Sequence, residues 1–203
     1  VDSVTVTVYY DTAAPSGVTN FSSVQSSTAT GQINLSWTAP GDDGSSGNLT
    51  GNYRIQYATY TAAWSTSSTP TNATTVTIAT TSAAPGSAEA KYITGLVTQT
   101  TYYFVMWTQD NVNLWSSISN TTSTYLDLTA PSTSTLAATA GPGQVTINWS
   151  SAGDDGSTGN LTGNYRIQYA TYTATWSTTT TPTSATTVTI STSNVVPGSG
   201  QTY

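Results

Sequence analysis

The 203 residues carry only three basic and nine acidic side chains, a formal net charge of −6, and neither His nor Cys. So few cations leave no footprint for a polyanionic nucleic acid. Without His and Cys, the common general bases, thiol nucleophiles and soft metal ligands are gone.

In chain order, the alternating segment 1–10, VDSVTVTVYY, precedes a short linker, DTAAP at 11–15. The Pro in that linker cannot extend a central strand. Ile33, Leu35 and Trp37 alternate on a strand ending at Pro40, and a Gly-Asp-Asp-Gly turn follows at 41–44. Tyr53, Ile55 and Tyr57 form the next inward row, with Arg54 and Gln56 facing out. ATTVTI at 73–78 and KYITGL at 91–96 are further strand candidates. YYFVMWTQD at 102–110 points Tyr102, Phe104 and Met106 inward and Tyr103, Val105 and Trp107 outward, and a last strand covers roughly 116–126. No apolar run approaches the ~18 residues of a membrane span. Thr, Val, Tyr and Ile favour pleated surfaces, and long helix-forming stretches are absent, so the composition is all-β.

The chain also contains itself. GNLTGNYRIQYATYTA at 47–62 recurs letter for letter at 159–174, an offset of 112 residues. The GDDG turn returns at 153–156 and ATTVTI at 185–190. A period above 100 residues is too long for a solenoid and matches a small β-sandwich. Three regions are expected. Residues 1–10 would be the last strand of a preceding domain, 11–126 a complete domain, and 127–203 a second one opening on DLTAP. Tyr203 is read as the counterpart of Tyr92, although an exact offset of 112 residues puts it opposite Lys91, so the second copy is expected to lack the counterparts of 93–126. Truncation of a longer array is the preferred reading. Strand donation by a neighbour's N-terminal arm is the rival.

Leu96-Val97-Thr98-Gln99-Thr100-Thr101-Tyr102 resembles the Leu-x-Pro-x-Thr-x-Tyr signature of fibronectin type III domains, with Thr98 where Pro is usual. Trp37 matches that family's strand-B tryptophan, and Tyr53-x-Ile55-x-Tyr57 its third strand. The resemblance implies tandem fibronectin type III-like (immunoglobulin-like) β-sandwiches, with Tyr102 as a corner tyrosine bonded to upstream backbone. The stretch from 60 to 90 is longer than the family usually has.

In such a sandwich the loops after the second and sixth strands emerge at one end, gathering Asp42, Asp43 and Asn48 with Asp110, Asn111 and Asn113. Hard oxygen ligands in that number suit Ca²⁺; the competing reading is that Asp and Asn close tight turns. Tyr103 and Trp107 face out, with Arg54 stacked on either as a cation–π rung. Trp115-Ser116 resembles the Trp-Ser element of cytokine-receptor modules of this fold. This outward row is a stiffening rung or a face for sugars or like subunits; a further alternative is that Trp64 (and Trp176 in the second copy) folds over it instead. Asn20, Asn48, Asn72, Asn120 and Asn160 stand in N-glycosylation sequons, and the Ser/Thr runs at 65–75 and 177–187 are candidates for O-linked sugar.

The adjacent carboxylates Asp42 and Asp43 do not face each other across a bond as a glycosidase pair must, so no enzyme is expected. The expected role is a structural repeat of a secreted, bacterial surface fibre, filament or stalk that associates with like domains. The alternatives are an adhesin or carbohydrate-binding module, and spacer domains of a large extracellular enzyme.

Overall fold

Burial follows the alternation along the second strand of the first unit. Ile33, Leu35 and Trp37 are buried while Asn34, Ser36 and Thr38 between them are not. The computed structural model describes residues 10–203, and the chain divides into two units, Val1–Leu128 and Thr129–Tyr203. The strand read at 1–10 lies, but for Tyr10, outside the described residues.

Among the described residues the first unit has seven strands: β1 (Ser22–Gln25), β2 (Ile33–Thr38), β3 (Leu49–Ala58), β4 (Thr74–Ala83), β5 (Ala88–Ile93), β6 (Thr100–Gln109) and β7 (Thr122–Leu126). They form two antiparallel sheets, ordered β1-β2-β5 and β4-β3-β6-β7. That order, with a corner tyrosine, is the fibronectin type III-like sandwich. Tyr102 is buried, and its hydroxyl accepts the Val97 N–H at 2.9 Å.

The core lies between the sheets. The Trp37 ring meets Tyr53 edge-on at 5.1 Å and Phe21 at 6.0 Å. Ile55, Phe104, Met106 and Leu126 are fully buried around them. Side chains stitch β1 to β7. Thr124 Oγ1 donates to Ser23 Oγ at 2.6 Å, and Gln25 Oε1 accepts the Asp127 N–H at 2.8 Å.

Three strand limits move from the sequence reading. β4 continues to Ala83 because it pairs with β3 along its whole length, from Tyr57↔Thr74 to Leu49↔Ala83. β5 starts at Ala88, since it follows β2 from Ile33↔Ile93 to Thr38↔Ala88. β7 starts only at Thr122. Before it, the Ser116 and Ser119 side chains take the ladder's place, accepting the N–H groups of Thr108 and Met106 at 2.9 Å each.

The second unit has β8 (Leu136–Gly141), β9 (Gln144–Ser150), β10 (Leu161–Tyr169), β11 (Thr186–Val195) and β12 (Gly200–Thr202), ordered β12-β9-β8 and β10-β11. The long β1–β2 connection shrinks to a two-residue turn, Pro142-Gly143, between Gly141 and Gln144. That turn places Gly143 at φ 69°, a conformation glycine adopts without strain. The Trp37–Tyr53 pair is repeated as Trp149–Tyr165, edge-on at 5.2 Å. Between the two sheets an open cavity of about 870 Å³ remains, bordered by Val145, Ile147, Ile167 and Tyr169.

Candidate functional site

The GDDG turn is built from its own backbone. Asp42 N–H donates to Gly47 O at 3.1 Å, and Asp43 N–H to Ser46 O at 3.0 Å. A Cβ on Gly41 would sit 2.2 Å from Ser46 N, so only glycine fits where the loop doubles back. Asp154 N–H and Asp155 N–H repeat both bonds in the second unit, to Gly159 O and Thr158 O.

Each turn also grips the lead that enters its unit. Gly44 N–H donates to Ala14 O and Ser16 N–H to Gly44 O, each at 3.0 Å. Gly156 N–H to Ala130 O and Ser132 N–H to Gly156 O, again at 3.0 Å, are the counterparts. The sequence marks DTAAP and DLTAP as linkers and does not place them on the turns. The repeated Pro ahead of a repeated GDDG was the available signal.

The oxygen set read as a calcium site is largely committed to turns. Asp42 Oδ1 accepts the Thr50 N–H at 3.1 Å. Asp110, buried, accepts Val112 N–H at 2.9 Å and Leu114 N–H at 2.8 Å through Oδ1. Asn113 Oδ1 takes a bond from Gln109 Nε2, while Asn48 Nδ2 reaches away to Ser82 Oγ at 3.0 Å. Asn111 is exposed on the loop. The two loops do approach. The carboxylate of Asp11, above all, pushes the exposed Asp43 carboxyl above its ordinary value of 3.8, with lesser contributions from Asp42 and Asp110. Among the described residues no three acidic side chains gather into a set that could hold a metal ion.

The outward row of β6 is corrected. Arg54 pairs with Trp107, and Gln56 with Val105, so all four share the face turned away from the core. Yet Val105 is 0% and Trp107 5% exposed. Burial on an outer sheet face requires a cover, and the connection 59–73 supplies it. Arg54 Nη1 donates to Thr66 O, Gln56 Nε2 to Ser68 O at 3.0 Å, and the Tyr60 hydroxyl to Thr71 O. The long stretch after β3 is thus a strap laid across the sheet, and Trp107 offers no free apolar face.

Trp64, half-buried, rides on this strap, and Tyr103 is half-buried at the far end of the row. The cation–π rung exists with a different ring. The Arg54 guanidinium lies 6.0 Å from the centroid of Trp115, not over Tyr103 or Trp107.

The strap recurs in the second unit at the same spacings, with Arg166 bonded to Thr178 O, Gln168 to Thr180 O at 3.1 Å and Tyr172 to Thr183 O. There it lies over an open cavity of about 450 Å³ lined by Arg166, Gln168 and Trp176. The Arg-x-Gln-x-x-x-Tyr pattern facing a Thr-rich run was visible in both copies of the sequence, but nothing local said that backbone carbonyls were its targets.

The sequons differ in their freedom. Asn120 grips Phe21 from both sides, accepting its N–H at 2.9 Å and donating to its carbonyl at 2.7 Å. Asn20 is bonded to Thr38, and Asn160 to Asn194. Asn72 is exposed at a turn with φ 61°.

No family model and no curated protein matches the chain. Among solved structures it is similar to titin kinase and its flanking domains, at 17% identity and a TM-score of 0.36, covering 57% of this chain and 18% of that one. It is also similar to the chicken CNTN1 FN1-FN3 domains, at 13% identity and a TM-score of 0.48, covering 94% of this chain and 55% of that one. The chain therefore spans less than two thirds of either. The strand order and the Tyr102 corner, taken from the chain itself, establish an all-β, fibronectin type III-like architecture.

Proposed function

We propose that this chain is a non-enzymatic structural segment of an extracellular array of like sandwich modules, serving as a surface fibre, filament or stalk. One observation carries the reading: both units hold their N-terminal lead in the same pair of 3.0 Å backbone bonds to the GDDG turn, the turns standing 112 residues apart and the leads 116. A repeated module that fixes its own entry in one way makes every junction alike, and like heterologous junctions that do not close generate filaments.

The composition supports it, since three cations and no His or Cys leave little for catalysis to use. The adhesin alternative draws on an outward Tyr103-Val105-Trp107 row, and the burial of Val105 and Trp107 in that row weighs against it. Among the described residues no helix is long and apolar enough to cross a membrane.

Electron microscopy of the purified protein at modest salt tests the proposal. Ordered filaments with an axial repeat of one module are expected. Dispersed, flexible beads at every protein concentration would overturn it.

A further inference from the structure

Seven Asn-x-Ser/Thr sequons are spread along the chain, and the fold treats them differently. In five of them the middle residue is a core side chain: Phe21, Leu35, Leu49, Trp149 and Leu161 are each 7% exposed or less. Such a tripeptide cannot enter another protein's active site without pulling that side chain out of its core. The sixth, Asn120-Thr121-Thr122, has its amide committed to Phe21 on both sides, at 2.9 and 2.7 Å. The seventh, Asn72-Ala73-Thr74, is built otherwise. Asn72 and Thr74 are both exposed, and Ala73 between them has little side chain to bury. Among the described residues the Asn72 amide makes no hydrogen bond.

The backbone under this sequon is braced. Ala73 N–H donates to Pro70 O at 2.9 Å and closes a turn that holds Asn72 at φ 61°. The Tyr60 hydroxyl donates to Thr71 O, so the end of the strap is pinned while the Asn72 side chain stays outside. The turn itself does not require asparagine. At the same place in the second unit Ser184 takes φ 62°, with Ala185 N–H on Pro182 O at 3.0 Å. What Asn72 adds over Ser184 is a free amide two residues ahead of an exposed threonine.

We propose that Asn72 is the acceptor of an N-linked oligosaccharide, added to the folded chain. The donor is an oligosaccharide on a polyprenyl diphosphate, presented by its transferase. A bond forms between Asn72 Nδ2 and the anomeric carbon as the bond from that carbon to the diphosphate oxygen breaks. The diphosphate leaves with the electron pair, and the amide gives one proton to the transferase's base. Sequon recognition needs the amide and the Thr74 hydroxyl together, and both stand at the surface. This assignment does not depend on filament formation.

The test incubates the folded 203-residue chain with an oligosaccharyltransferase that glycosylates the free peptide 68–78, and maps the products by glycopeptide mass spectrometry. Occupancy at Asn72 is expected to exceed that at every other sequon by about tenfold or more, since presenting those requires local unfolding of a core or loss of the Phe21 clamp. Thr74→Ala should abolish transfer to Asn72. Ser184→Asn writes the same Asn-Ala-Thr triplet onto the matching turn and should create a second occupied site. Three results would overturn the proposal: an unmodified Asn72 in the folded chain, occupancy there no greater than at Asn20 or Asn120, or no transfer to the turn altered by Ser184→Asn. The last would show that exposure on this turn is not what admits the transferase.

Discussion

β3 and β10 share nine consecutive residues, LTGNYRIQY, and live in different surroundings. Their local form is the same. Each pairs with the following strand in the same register, Tyr53↔Ile78 in one and Tyr165↔Ile190 in the other. Each sets its tyrosine edge-on against a tryptophan, at 5.1 and 5.2 Å. Their burial is not the same. Gln56 is 0% exposed while Gln168 is half-buried, and Tyr57 packs against the core while Tyr169 is 53% exposed. Sequence and the hairpin partner fix the strand; the neighbour on the other side decides what the strand is worth to the fold. One substitution made at both positions therefore measures chiefly the neighbour.

The largest difference should come from the central tyrosine. Tyr53→Ala removes a side chain that is 1% exposed in a closed core, and should cost the first unit about 3–5 kcal/mol, the range for large aromatic truncations. Tyr165→Ala empties a half-buried site on an open cavity of about 350 Å³ that Tyr165 lines with Trp149, Leu161 and Ile167, and should cost the second unit less, about 1–3 kcal/mol. Native-state hydrogen exchange, read separately for each unit, gives both values. Equal losses would mean that β6 adds nothing to the packing around Tyr53.

The glycine pair comes next. Gly51→Ala drives a methyl group against the Gln109 carbonyl and should destabilise the first unit by about 1–3 kcal/mol. Gly163→Ala meets open space, and restricting the unfolded chain should leave the second unit unchanged or more stable by up to about 1 kcal/mol. The same exchange experiment reads both. A loss at Gly163 matching that at Gly51 would show that backbone conformation, not strand proximity, requires the glycine.

These pairs also mark what the sequence makes legible. Alternation placed the inward rows of β2, β3 and β6, and the Leu96-to-Tyr102 signature placed the corner, because each depends on residues near in sequence. Of the strap the sequence offers only Trp64, expected to fold over the outward row. Period two says that Val105 and Trp107 face away from Tyr102, Phe104 and Met106, but not that a loop begun at residue 59 returns to cover them. Arg54, read as seeking Tyr103 or Trp107, reaches Thr66 O and Trp115 instead. Residue type alone does not show that Asp42, Asp110 and Asn113 each already accept an N–H through Oδ1, while Asp110 Oδ2 is buried and accepts none. The 93–96 part of KYITGL fell out of its strand, but for Ile93, because β2 runs out of partners there.

A subtler difference lies at the end of the Trp–Tyr pair. In the second unit the Tyr165 hydroxyl donates to Ser151 Oγ at 2.7 Å. Residue 39 stands at the corresponding place in the first unit and is Ala, which leaves the buried Tyr53 hydroxyl without that partner. The backbones match, since Ala39 and Ser151 each donate to a Ser carbonyl, Ser87 O and Ser199 O, at 2.9 Å. Ala39→Ser should therefore stabilise the first unit by about 0.5–1.5 kcal/mol, and Ser151→Ala should destabilise the second by a similar amount. Urea unfolding of the two variants checks this. A loss on Ala39→Ser would show that the closed core has no room for one oxygen.

The smallest effect belongs to the GDDG turn, whose backbone bonds are repeated to within 0.1 Å in both units, so that charge is what remains to vary. Asp43 sits beside Asp11, and that carboxylate's repulsion, more than burial or Asp42, raises the Asp43 pKa above 3.8. A raised carboxyl pKa means that the folded state holds its proton more tightly than the unfolded state does. The contribution therefore favours folding below the unfolded value and is lost as pH climbs through the folded one. Asp43→Asn removes the penalty, so it should raise the melting temperature at pH 7 and leave it unchanged near pH 3. Because Asp43 is exposed, the gain should shrink as salt is added. Calcium supplies the contrasting outcome. A cation held between the two loops would bring Asp43 below 3.8, make Asp43→Asn destabilising at pH 7, and give a calcium-dependent rise in melting temperature. With Asp42 and Asp110 each accepting backbone N–H groups and Asn48 turned to Ser82, calcium is expected to leave the melting temperature where it was.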